Sequence, residues 1–231
     1  FLYKMEENKI KGEFNKEINS HITTLHKEII INFEALRSLA ILFSDSTTPD
    51  WMHFSFEAQR ILSRHNDIQA LEWIPLIRHS ERKAYESKSL LNLPKFEIIQ
   101  RKIQGSMIKA PIKDEYYPVY FIEPYIGNEL AYGFDLSSNA TRHQAIITAR
   151  DSGQPTATGS ITLVQEKGEQ KGFLAFIPIY KFRGVSTEEI RRKNLQGFVL
   201  GVFRIGDIFN SSLKGKELND IQMTLLDKTQ P

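Results

Sequence analysis

Six histidines, no cysteine and scattered carboxylates are what the chain offers for chemistry. His21 and His26 lie five positions apart, so a helix does not bring them to one face, and His53, His65, His79 and His143 follow singly. No His-Glu-x-x-His pair, EF-hand loop or Cys/His cluster occurs, so no metal site and no cofactor is expected. There is no Gly-x-Ser-x-Gly turn, no thiol, no P-loop and no Gly-x-Gly-x-x-Gly. Asp114, Glu115 and Asp135 form no recognisable acid–base pair. No catalytic residue is expected.

Binding chemistry is better supplied. Asp135 stands inside an aromatic stretch, next to Phe134. A carboxylate on the wall of an aromatic pocket accepts hydrogen bonds from an amine or amide donor. An Asp just ahead of a helix also serves a turn or cap with no ligand at all. Tyr120, Tyr132, Phe134, Phe176 and Phe198 are the aromatics expected to line a pocket, with Thr158 as a polar contact. Tyr117, Phe121 and Phe173 are core filling by the same reading. Strict alternation puts Asp135 on the opposite face from Tyr132 and Phe134, so a shared pocket needs a strand end or a bulge there.

The elements that position these residues run from Ala131 to Tyr180. Tyr132, Phe134 and Leu136 alternate with Gly133 and Asp135, which predicts a strand. Ser138 or Asn139 can cap the next helix, Gly153 can end it, and Ala145, Ile146 and Ala149 form its buried stripe. Thr156–Val164 predicts a strand, Lys167–Gly172 a turn, and Gly172–Tyr180 a strand apolar on both faces and therefore buried on both.

Upstream, Leu2–Phe43 reads as one helix. Ile10, Phe14, Ile18, Ile22, Leu25, Ile29, Phe33, Leu36, Ala40 and Phe43 follow in steps of three or four, a narrow stripe of coiled-coil type. About 40 residues span about 60 Å, so this helix should pair with a copy of itself or run along stacked domains. A second helix is expected from Asp50 or Trp51 to Ser63, a strand over Ile68–Ile74 stopped by Pro75, and a helix over Glu81–Leu91. Strands are expected at Phe96–Ile99 and Tyr116–Ile122, with a polar loop over Lys109–Glu115. Trp73 is expected to close the sheet edge, and Glu81 with Arg82 to form an ion pair. Downstream come a surface helix near Thr187–Arg192, a strand at Leu195–Ile205, a helix at Asp207–Leu213 and a strand at Ile221–Leu226 that begins an incomplete second sheet.

The chain has 231 residues, 41% hydrophobic and 25% charged, with a net charge of +2. That allows one or two domains. Its charges are dispersed, so no nucleic-acid partner is expected. It opens on Phe1 and has no apolar run long enough to span a bilayer, so it is expected to be an excerpt whose transmembrane helices lie outside it.

Several motifs then stand in order: Ala70-Leu-Glu-Trp-Ile-Pro75, Glu81-Arg82, Gly133-Phe-Asp-Leu136, Ala149-Arg-Asp-Ser-Gly153, Gly172-Phe-Leu-Ala-Phe-Ile-Pro-Ile-Tyr180 and Gly197-Phe-Val-Leu-Gly-Val-Phe203. From about Phe54 to Phe209 this order resembles the CHASE domain, the extracytoplasmic sensor of bacterial receptors and of plant cytokinin-receptor histidine kinases. The resemblance implies an α+β fold in which a long N-terminal dimerisation or stalk helix (1–48) carries tandem PAS-like antiparallel sheets. The membrane-distal sheet (49–206) would be complete and ligand-binding, and the membrane-proximal one (207–231) partial. It implies a periplasmic or extracytoplasmic, homodimeric receptor portion that binds a small molecule and performs no catalysis, in a histidine kinase or diguanylate cyclase. In the plant relatives the Asp of this motif holds the N–H groups of an adenine-type ligand, which carries over to Asp135. The position assisting it falls at Ala157, where Leu would be expected. The alternatives are a double-Cache-type sensor of amino acids or carboxylates, and a ligand-free dimerisation module.

Overall fold

Helix α1 runs Leu2–Ala40 and tightens into a 3-10 turn at Ile41–Phe43. Helix α2, Trp51–Leu62, is N-capped by Asp50, whose carboxylate accepts from His53 N at 2.8 Å. Strand β1 spans Ile68–Pro75, β2 Ile77–Arg78, and helix α3 His79–Ser87. Four short strands follow: β3 at Ile99–Arg101, β4 at Met107–Lys109, β5 at Glu115–Tyr116 and β6 at Phe121–Glu123. Helix α4, Ala140–Ser152, is capped by Asn139 and closed by left-handed Gly153. Then come β7 at Thr156–Ala157, β8 at Ile161–Thr162, β9 at Lys171–Tyr180, α5 at Glu188–Asn194, β10 at Leu195–Arg204 and α6 at Ile205–Ser212. This computed structural model describes residues 2–43, 50–88, 90, 93–102, 105–164, 171–182 and 184–213. The strand expected at Ile221–Leu226 and the turn at 167–170 lie outside the described residues. Among the described residues no helix is long and apolar enough to cross a membrane.

The main sheet is antiparallel, in the order β6-β1-β10-β9-β7, with β8 also on β9. Its register sorts side chains into two faces. Glu72 pairs with Leu200, which pairs with Phe176; Ile74 pairs with Phe198, which pairs with Pro178. These rows form the inner face. Trp73, Val199 and Ile177 alternate with them and point to the outer face, where α1 and α2 pack. Trp73 stacks on Phe43 at 4.0 Å and 22°. Gly201 lets α1 come close: a Cβ there would sit 2.9 Å from both Leu36 methyls and 2.7 Å from the Phe203 ring. On the inner face α4 packs against β9, with Ala145, Ile146 and Ala149 buried.

Several expectations are corrected. Trp73 lies on an interior strand, between β6 and β10, and does not close an edge. Ala131–Leu136 is not a strand. It makes isolated bridges at Phe134 and Asp135 between two 3-10 turns, Glu129–Ala131 and Leu136–Ser138. Tyr116–Ile122 breaks into β5 and β6, and Thr156–Val164 into β7 and β8. Phe96 and Ile98 are buried but precede β3. Helix α3 starts earlier than Glu81 because the Glu81 carboxylate accepts from Arg78 N at 2.9 Å. Arg82 pairs not with Glu81 but with Glu86, at 2.8 Å. The stripe of α1 divides. Leu36 and Phe43 are buried and Leu25, Ile29, Phe33 and Ala40 pack at the core margin, whereas Ile10, Phe14 and Ile22 are exposed; Leu39, outside the expected stripe, is buried as well.

Candidate functional site

The inner face carries one charged side chain where the rest of its row is apolar. Glu72, in mid β1, is 2% exposed. Opposite it stands Arg142, in the first turn of α4 and 6% exposed. Both line a small chamber whose other walls are Val119, Ala131, Phe134, Leu136, Leu163, Val164, Leu174 and Val202. The free space is about 10 Å³ for the centre of a water-sized sphere, room for roughly one water. Arg142 Nη2 donates to the Thr162 carbonyl at 2.9 Å, and the guanidinium lies 5.6 Å over the Phe134 ring. Among the described residues Arg142 Nε has no hydrogen-bond partner, and no direct ion pair joins it to Glu72.

Burial decides the electrostatics. Desolvation pushes the Glu72 carboxyl up to about 8, with the Arg142 charge opposing. Desolvation and the neighbouring Arg101 charge bring Arg142 down to about 10, with Glu72 opposing. At neutral pH the chamber therefore holds a cationic guanidinium and a mostly protonated carboxyl. The N-terminal end of the α4 dipole adds positive potential.

Asp135 lies beside this chamber and is fully buried. Its Oδ1 accepts from Tyr117 N at 3.0 Å, Ser137 N at 3.1 Å and Ser137 Oγ at 2.7 Å, and its Oδ2 from Lys113 Nζ at 2.8 Å. The carboxylate thus ties three segments together and caps the 3-10 turn at Leu136–Ser138. Gly133, two residues earlier, has φ +80, and a Cβ there would meet Glu97 O at 2.2 Å.

The other expected residues separate into groups. Phe134 lines the chamber; Phe176 and Phe198 share its sheet face and meet edge to face at 5.7 Å. Tyr120 and Tyr132 belong to a neighbouring cluster around Phe96, at 4.8 and 5.6 Å. Burial pushes the Tyr120 hydroxyl up to about 12. Thr158 Oγ1 accepts from Leu174 N at 3.0 Å, extending the pairing of β7 with β9. Ala157 is exposed on β7. Sequence reasoning passed over Glu72 and Arg142. The available signal was a lone carboxylate within the apolar run Ala70–Pro75, since an unpaired Glu is rarely fully buried. Arg142 gave none, because a charged residue in a first helical turn reads as solvent-facing. Among the described residues no three His, Asp or Glu gather as a metal site.

A family model described as the CHASE domain matches residues 48–231. Hybrid signal transduction histidine kinase A of Dictyostelium discoideum is 24% identical over 223 residues, 90% of this chain and 10% of that protein. Three solved sensor structures are similar at low identity. An extracellular ligand-binding receptor from Desulfohalobium retbaense has a TM-score of 0.45 and 12% identity, over 84% of this chain and 26% of that one. The periplasmic sensory domain of the Campylobacter jejuni chemoreceptor Tlp1 has 0.45 and 13%, over 84% and 60%. The ligand-binding domain of the Pseudomonas aeruginosa amino acid chemoreceptor PctC, in complex with GABA, has 0.42 and 12%, over 82% and 60%. With four-fifths of its length matched by one family, the chain belongs to the CHASE domain family of receptor sensor domains.

Proposed function

We propose that this sensor domain binds a small molecule on the inner face of its sheet and passes the bound state through α1 to the output of a membrane-bound histidine kinase or diguanylate cyclase. The observation that carries this reading is the chamber itself. It is central and mostly apolar, and it contains a buried guanidinium and a buried carboxyl that the fold does not pair with each other. Such groups are costly to bury without partners, and a ligand can supply them. Residues 1–48 act as stalk and dimer helix, 49–206 as the distal ligand-binding unit, and 207–231 begin the membrane-proximal one. Phe134, Phe176 and Phe198 form the apolar contact surface, and Asp135, Ala157, Thr158, Tyr120 and Tyr132 border it. The domain faces the extracytoplasmic side and performs no turnover on what it binds.

A thermal-shift screen of the 231-residue chain with purines, amino acids and carboxylates tests this. A ligand at about 100 times its Kd stabilises by about 2.7 kcal/mol. Stabilisation by one class, lost on substitution in the chamber, is the expected result. No response from any class sinks the reading and leaves a dimerisation module.

A further inference from the structure

The chamber's donors define the chemistry of what fits it. From the Arg142 Nε–H and the Glu72 carboxyl facing each other across an apolar space, we infer that the chamber is a site for a short-chain carboxylate anion. This deepens the reading of the inner face as the input site and rests on it.

Three observations converge. First, Arg142 Nε is a buried donor with no partner among the described residues, while Nη2 of the same guanidinium is fixed on the Thr162 carbonyl. The side chain is therefore held in place with its Nε–H free. Second, the local charge is positive. Arg142 lies in the first turn of a 13-residue helix and feels the Arg101 charge, with Glu72 opposing. A mostly protonated Glu72 leaves the guanidinium without a counter-charge, so an anion is preferred over a cation or a neutral base. A planar carboxylate can accept from Nε–H with one oxygen and from the Glu72 O–H with the other. Third, the remaining walls are aliphatic or aromatic, and the resting space holds about one water. A ligand of one to three carbons therefore requires the wall at Leu163, Val164 and Leu174 to part, with its carbon end set against those side chains. Arg101 Nη2 donates to the Val164 carbonyl at 3.1 Å, which ties this wall to β3.

The test uses the Arg142 Nε–H resonance of the ¹⁵N-labelled chain, assigned by its loss in Arg142→Lys. Sodium formate, acetate and propionate are titrated against sodium chloride at matched ionic strength, alongside methylammonium chloride, glycine and adenine. Saturable movement of this resonance with at least one carboxylate, and not with chloride or methylammonium, is expected. Arg142→Lys should weaken binding, read by calorimetry, roughly tenfold to hundredfold, since a hydrogen bond to a charged group is lost. Glu72→Gln keeps a neutral donor and should change affinity only a few-fold. Movement with chloride equal to that with carboxylates overturns the inference in favour of nonspecific screening. Movement with glycine or adenine but no carboxylate overturns the ligand class while leaving an inner-face sensor standing. Silence from every probe overturns both.

Discussion

Glu72 makes the clearest prediction at the level of single residues. Its carboxyl is raised from 4.5 to about 8 by burial, with Arg142 and, behind it, Arg101 as the facing charges. The folded chain then binds more protons than the unfolded chain between those two values, so stability falls as pH rises through that window. The slope approaches about 1.4 kcal/mol per pH unit where the occupancies differ by a full proton. Glu72→Gln removes the titration, so its melting temperature should decline less between pH 5 and 8 than that of the wild type; parallel curves would contradict a buried, protonated Glu72. Asp135 makes the opposite kind of prediction. Its carboxylate already accepts hydrogen bonds from Tyr117, Ser137 and Lys113. Truncation leaves the buried Tyr117 N–H unpaired, so Asp135→Ala should lower stability by roughly 2–4 kcal/mol in the ligand-free protein. Denaturant unfolding checks this. An unchanged midpoint together with lost ligand response would restore Asp135 as a direct ligand contact.

Elements were legible in the sequence where one physical signal dominated. Strands β9 and β10 are long apolar runs; α2, α4 and α5 begin at Asp50, Asn139 and Thr187, each accepting a backbone N–H at its cap. The region from Phe96 to Leu136 was not legible. Its strands are only two or three residues long, and between them backbone groups pair through bends and single bridges, as in Gly133 N to Val119 O at 2.8 Å and Ile99 N to Gly133 O at 2.9 Å. The alternation of Tyr132, Phe134 and Leu136 therefore reflected three separate contacts and no strand. Half of the chamber was hidden because register across β1, β10 and β9 is what sets Glu72, Val202 and Leu174 on one face. Two glycines test this account of the elements. Gly133 is left-handed, and its added Cβ would strike a backbone oxygen, so Gly133→Ala cannot be relieved by a rotamer change. At Gly201 the obstacles are the ends of the Leu36 and Phe203 side chains, which can shift. Overpacking of that kind costs about 1–3 kcal/mol. Gly133→Ala should therefore destabilise more than Gly201→Ala in urea unfolding; the reverse order would mean that the α1–sheet contact is the more rigid of the two.

At the scale of the whole molecule, the sheet separates the chamber from α1, the proposed signalling helix, by one strand thickness. Glu72 and Trp73 are neighbours in β1 with side chains on opposite faces, and Trp73 stacks on Phe43 at the C-terminal end of the α1 segment. A shift of β1 toward a ligand would therefore be felt at α1. Beyond Ile22 toward the N-terminus, α1 leaves Ile10 and Phe14 exposed, at 61% and 48%, a stripe suited to a second copy. Phe14→Glu with Ile22→Glu should abolish self-association in sedimentation while leaving the unfolding midpoint within about 0.5 kcal/mol, as for exposed positions. Leu36→Glu, in contrast, should unfold the domain. The coupling itself is tested by combining Trp51→Phe, which leaves Trp73 as the single indole, with ligand titration and hydrogen exchange. A ligand moves an equilibrium only by its differential affinity for two states. Binding should alter Trp73 emission and amide exchange in α1 near Phe33 together. Phe43→Leu removes the stacked ring without touching the chamber, so binding should persist while the α1 response diminishes. Unchanged α1 exchange on saturation of the wild-type chain would break the proposed route and leave a passive binding domain.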